Sequence, residues 1–195
     1  MGGGPDKGIA KCHERAEDGM EDHGVTGARV DLEITVDLSP ERLWDLVTAV
    51  PRIGEWSPEC EHAAWLENGV VVSEAMVMEG TRFQARNRRQ GRVWTVTCVV
   101  TEADRPRTFA WSVLDAAQDL DRPSSRWRYE FQPGDSPDQT LVRHSFVHGP
   151  GESGLRDIIR QNPELASIIV EVRLGELREH MTQTLDAMAR PLLTV

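Results

Sequence analysis

Residues Val30–Pro58 read VDLEITVDLSPERLWDLVTAVPRIGEWSP, and this stretch sets the order of elements for the rest of the chain. Val30, Leu32, Ile34 and Val36 alternate with Asp31, Glu33, Thr35 and Asp37. A period of two puts the apolar set on one face of a strand, placed here over residues 28–38. Ser39 offers a hydroxyl to the unpaired N–H groups of a helix start, and Pro40 suits the first helical position because it lacks an N–H. Leu43, Trp44 and Val47 give that helix its apolar stripe, and Pro51 opens a second short helical turn ending near Trp56. A strand followed at once by two helices is the first half of the pattern.

The second half is a run of strands and then a long helix. Alternation and β-branched or aromatic content predict strands over 61–66, 74–78, 82–89, 93–102, 108–114, 125–132 and 140–148. Glu67-Asn68-Gly69, Gln90-Gly91, Asp104-Arg105-Pro106 and Pro133-Gly134-Asp135 are turn signals between several of them. The hairpin through Gln90-Gly91 is the clearest. Leu155, Ile158 and Ile159 begin the helical end, with Asn162 as cap and Pro163 in the first turn of the last helix. Leu165, Ile168, Ile169 and Val172, then Leu177, Met181, Leu185 and Met188, supply its stripe, with one longer gap.

The 195 residues suffice for one domain with a full core. Residues 1–27 are rich in Gly, Asp and Glu without periodicity and read as a disordered tail, leaving 28–190 as the folded domain. No apolar run reaches the roughly 18 residues of a membrane span, and the N-terminus lacks the apolar core of a secretory signal. Three cysteines without a CxxC spacing do not make a disulfide framework. These features place the protein in the cytoplasm. A net charge of -10 argues against nucleic acid as a partner. The arginines at 82, 86, 88, 89 and 92 read as a solvated edge offset by acidic neighbours, with an anion site as the competing reading.

LSPERLWDLVTAVPRIGEWSPEC, GTRFQARNR, RVWTVTCVVTEADRPRTFAWSV, SRWRYEFQP, TLVRHSF and ELREHMTQTLDAM together resemble the START-like (SRPBCC) superfamily, specifically its polyketide cyclase/dehydrase and lipid-transport family. The resemblance covers about residues 28–190. It implies an α+β helix-grip fold, a curved seven-stranded antiparallel sheet wrapped on a long C-terminal helix, with two short helices after the first strand. It also implies an elongated apolar cavity, and members that carry lipids, polyketides or other hydrophobic molecules or act as aromatase/cyclases.

Strand alternation nominates the cavity wall. Phe109, Trp111 and Val113 share a face, as do Trp127, Tyr129 and Phe131, and Val142, His144, Phe146 and His148. Phe83, Ala85 and Asn87 oppose Trp94, Val96 and Cys98 or their neighbours. The expected ligand-binding residues are Trp56, Phe83, Asn87, Trp94, Trp111, Trp127, Tyr129 and Phe146, a greasy surface with sparse orienting groups. Plain core packing competes, with Tyr129 and His144 satisfied by backbone carbonyls. His144 is the catalytic candidate, because imidazole titrates near neutrality. The first functional reading is a binder of a hydrophobic small molecule, in a monomer or homodimer. The alternatives are a polyketide aromatase/cyclase or dehydratase using His144 as general acid/base, and a protein-interaction module. No cofactor or metal is expected. Gly149-Pro150-Gly151-Glu152-Ser153-Gly154 matches GxGxxG, but no parallel strand follows, so it reads as a hinge before the helical end rather than a dinucleotide site.

Overall fold

Ser39 caps α1 (Pro40–Val47), its side chain accepting the Arg42 N–H at 3.4 Å. The stripe of Leu43, Trp44 and Val47 is buried beneath that helix. The computed structural model describes residues 22–190. β1 (Arg29–Val36) precedes α1, and a 3-10 helix, Val50–Glu55, follows it. Then come β2 (Cys60–Glu67), β3 (Val70–Val72), β4 (Arg82–Arg89), β5 (Arg92–Asp104), β6 (Thr108–Leu114), β7 (Ser125–Pro133) and β8 (Thr140–His148). α2 (Gly154–Gln161) and the long α3 (Ala166–Ala189) close the described chain.

All the strands join one antiparallel sheet in the order β1-β8-β7-β6-β5-β4-β2-β3. The sheet is open and has eight strands, not the seven expected. The extra strand is the short β3, returned onto β2 by Asn68 and Gly69, whose φ values of 50° and 80° suit a two-residue hairpin turn. Gln90 and Gly91, at 49° and 80°, make the same turn between β4 and β5. The strand expected at 74–78 does not form. Ala75 and Val77 do pack inward against the core, but the segment pairs with no strand, so alternation reported burial without a ladder. Register shifts at Cys60/His62 in β2 and Val100/Glu102 in β5 add the bends that curve a sheet.

α3 lies against β1. Leu177 and Met181 pack on Val30, Leu32 and Phe146, while Leu185 and Met188 enter the main core with Leu43, Trp44 and Phe109. The expected stripe is right from Leu177 onward, and before it only Ile169 packs inward. Leu165, Ile168 and Val172 are exposed, and Ala166 and Val170 are the buried pair. The longer gap before Leu177 therefore marks a change of face. Asn162 does not cap α3 through its side chain, which instead donates to the Ile158 carbonyl at 3.0 Å; a 3-10 turn, Pro163–Leu165, leads into the helix.

The tail expected over 1–27 is drawn too far on its described part. Val25 is 1% exposed and packs on Leu155 and Ile159 of α2, and Gly27 donates to the His148 carbonyl. Asp22 pairs with Arg156 at 2.8 Å. Residues 1–21 lie outside the described residues. The glycine hinge is likewise packed. A Cβ at Gly149 would collide with the Pro123 carbonyl oxygen, and one at Gly151 with the Arg122 carbonyl oxygen. Both N–H groups bond this neighbouring loop, Gly149 to Ser124 and Gly151 to Pro123. These glycines permit close approach of two backbones, which is a structural use.

Candidate functional site

The concave face of the sheet and α3 enclose a cavity of about 870 Å³. Its lining includes exposed charged or polar residues from the start of β5 (Arg92), the β6–β7 link (Gln118) and α2 (Asp157), so it opens between those three elements. Most of the residues nominated by strand alternation line this cavity, while Phe131 and Val142 lie in the main core instead. Phe83 faces Cys98, Ala85 faces Val96 and Asn87 faces Trp94 across β4 and β5, and all six line the cavity. Trp111 and Trp127, opposed across β6 and β7, stack with ring centroids 5.8 Å apart and planes 4° apart. Phe146 meets Trp127 edge-on at 4.6 Å. Trp56 is not in the lining. It sits half-buried at the end of the 3-10 helix, packed against the main core, with the Arg52 guanidinium 4.8 Å from its ring centre.

His144 and Tyr129 are neighbours across β7 and β8, and their rings stack at 3.7 Å. The expectation that backbone carbonyls satisfy His144 is not met. Both of its ring nitrogens, and both of His148, are buried without a hydrogen-bond partner among the described residues. The two residues are 3% and 6% exposed and line the cavity. An unpartnered buried polar group costs about 1–3 kcal/mol, so two such side chains on one wall call for a reason. Burial pushes the His144 imidazole down to about 3. Burial, helped by the charges of Arg173 and Arg156, pushes His148 down to about 4. Both rings are neutral at physiological pH and carry one donor and one acceptor each. That makes them hydrogen-bonding groups and poor proton acceptors. Burial also raises the Tyr129 hydroxyl and the Cys98 thiol, and pushes the Cys60 thiol up to about 11, so none of these ionises readily in the cavity.

A second polar cluster escaped the sequence reading. Glu59, just before β2, receives both terminal nitrogens of Arg173 at 2.9 and 2.7 Å and contacts His180 Nδ1 at 3.1 Å. Glu176 links Arg173, at 3.6 Å, to Arg89 at the end of β4. Burial pushes the Glu59 carboxyl up, but its bonds to Arg173 and His180 outweigh that and hold it below the ordinary carboxylate value. Glu59, Arg173 and His180 all line the cavity. The available signal was the spacing of Arg173, Glu176 and His180, which places them on one face of α3. The partnership with Glu59, more than a hundred residues away, needs the fold. Of the other arginines of the expected basic edge, Arg86 and Arg88 pair with Glu61, and Arg92 lines the cavity.

Among the described residues no three His, Cys, Asp or Glu side chains gather as a metal site, and no helix is long and apolar enough to cross a membrane. A curved antiparallel sheet closed over by a C-terminal helix, with an aromatic interior, defines a helix-grip protein. The chain belongs to the polyketide cyclase/dehydrase and lipid transport family, whose model matches residues 27–186. It is similar to the Polyketide_cyc-like protein Cgl2372 of Corynebacterium glutamicum, at 27% identity over 84% of this chain and 90% of that one, with a TM-score of 0.55. The Zhui aromatase/cyclase of a Streptomyces species shares the fold at 13% identity, covering 83% of this chain and 90% of that one, with a TM-score of 0.58. The di-domain aromatase/cyclase StfQ of the steffimycin biosynthetic pathway shares it at 12% identity, covering 84% and 50%, with a TM-score of 0.60. No curated protein matches the chain.

Proposed function

We propose that this protein binds a hydrophobic, ring-bearing small molecule in its cavity, held by the Trp111–Trp127 wall and oriented by His144 and His148. The observation that carries the reading is the pair of buried histidines whose four ring nitrogens have no partner. An oxygen-bearing ligand supplies those partners and removes the cost of leaving them open. The aromatic lining supports the same reading, since stacking adds about 0.5–1.5 kcal/mol per ring pair to the burial term. Family membership favours a hydrophobic ligand. The neutrality of His144 weighs against its serving as a general acid.

The test is quenching of tryptophan fluorescence by 1,8-dihydroxyanthraquinone, with anthracene as the oxygen-free control of similar shape. Binding is expected to be saturable, tighter for the hydroxylated probe, and weakened about tenfold (about 1.4 kcal/mol) by Trp111→Ala. Equal affinity of the two probes would remove the histidines from the account, and absence of saturable quenching would end the cavity reading. Native mass spectrometry of the purified protein then shows the mass class of whatever molecule travels with it.

A further inference from the structure

We propose that Glu59 and His180 form a general-base dyad in the cavity wall, with His180 Nε2 removing a proton from an acidic C–H of the bound ligand. This rests on the cavity being a small-molecule site and moves the chemistry away from His144. Glu59 is ionised and lies 3.1 Å from His180 Nδ1, so Nδ1 carries the proton and donates it to the carboxylate. The lone pair is thereby left on Nε2, the ring nitrogen not engaged by Glu59. His180 lines the cavity, and its side chain keeps 28% of its surface open. Here His180 is the catalytic residue and Glu59 a positioning residue, which fixes the tautomer and stabilises the imidazolium formed.

Arg173 completes the arrangement. Its two bonds fix the Glu59 carboxylate, whose own side chain is only 14% exposed. The charged groups facing His180 are Glu59 before β2 and Arg173 and Glu176 on α3, with Arg89 of β4 behind Glu176. His144 and His148 lack any carboxylate partner and are pushed far down by burial, so the cavity separates its histidines into two hydrogen-bonding rings and one base.

The probe is 5-nitrobenzisoxazole, a flat aromatic carbon acid whose ring opening needs only a base. The C3 proton passes to Nε2, the C–H electron pair becomes the third bond of a nitrile, and the N–O bond breaks with its pair on the phenolate oxygen. The coloured 2-cyano-4-nitrophenolate is followed by absorbance, and probe binding separately by tryptophan quenching. The protein is expected to accelerate ring opening over buffer. His180→Gln is expected to lower the rate at least tenfold with probe binding retained, while His62→Gln, at an exposed position outside the cavity lining, leaves the rate unchanged. Glu59→Gln is expected to move the midpoint of the pH–rate profile downward, because the imidazolium loses its anion. Nitrogen NMR of the unaltered protein reads the His180 tautomer directly and does not depend on any variant folding. Proton on Nδ1 agrees with the dyad, and proton on Nε2 overturns it. Binding without acceleration, or acceleration equal in His180→Gln, overturns the dyad alone. Absence of binding overturns the dyad and the cavity reading together.

Discussion

Replacing His144 by leucine should make the empty protein more stable, and increasingly so as the pH falls. Both ring nitrogens of His144 are buried without partners, at a cost of about 1–3 kcal/mol. Leucine removes that cost and also the stacking on Tyr129, worth about 0.5–1.5 kcal/mol. The net gain at pH 7 is about 1 kcal/mol, or about 2–4 °C in Tm for a chain of this size. The pH term follows from linkage. The imidazole sits at about 3 when folded against an ordinary 6.5. A depressed value means that the unfolded chain takes up the proton first as the pH drops below 6.5. Stability is therefore full above that value and is lost on acidification, at about 1.4 kcal/mol per pH unit for this one residue. Between pH 6.5 and 4 the leucine variant escapes about 3 kcal/mol of that loss. Carboxylates titrate in both proteins and cancel in the difference. Urea denaturation of the two proteins across pH 4–7.5 measures it. A gap that stays constant with pH, or a variant less stable at pH 7, would refute the claim that His144 is buried neutral and unpartnered.

Gly151→Ala should destabilise the fold by about 1–3 kcal/mol, because its Cβ meets the backbone carbonyl of Arg122, which cannot swing aside like a side chain; thermal denaturation checks it. Leu185→Ala should cost about 2–5 kcal/mol, since this α3 side chain is fully buried in the main core, and the urea midpoint should fall without a change in slope.

The fold was legible because its decisive signals are local. Ser39-Pro40 states a helix start, Gln90-Gly91 a hairpin turn, and β8 alternates over its whole length, burying Thr140, Val142, His144, Phe146 and His148 in turn. Period two also recovered most of the wall, because a strand that bounds a cavity and one that bounds a core show the same pattern. Trp56 failed for the complementary reason: a side chain at the end of a short turn has no period to fix its direction. Val70–Val72 was missed because three residues are too few to alternate, although Asn68-Gly69 had announced the hairpin. Glu59 was invisible in sequence, since an acidic residue beside Pro58 looks like any solvated loop residue until α3 brings Arg173 and His180 to it.

The two outer strands of the sheet, β1 and β3, never meet. In a closed barrel the strand number and stagger fix the bore, and resizing it means re-registering every ladder. This chain has no such lock. Its strands frame the chamber, and α3 presents Arg173, Leu177, His180, Met181 and Thr184 to the interior. Exchanging these few helical side chains can reshape the chamber without disturbing one inter-strand hydrogen bond. The same sheet can then serve ligands of different girth, with selectivity written along a single helix face.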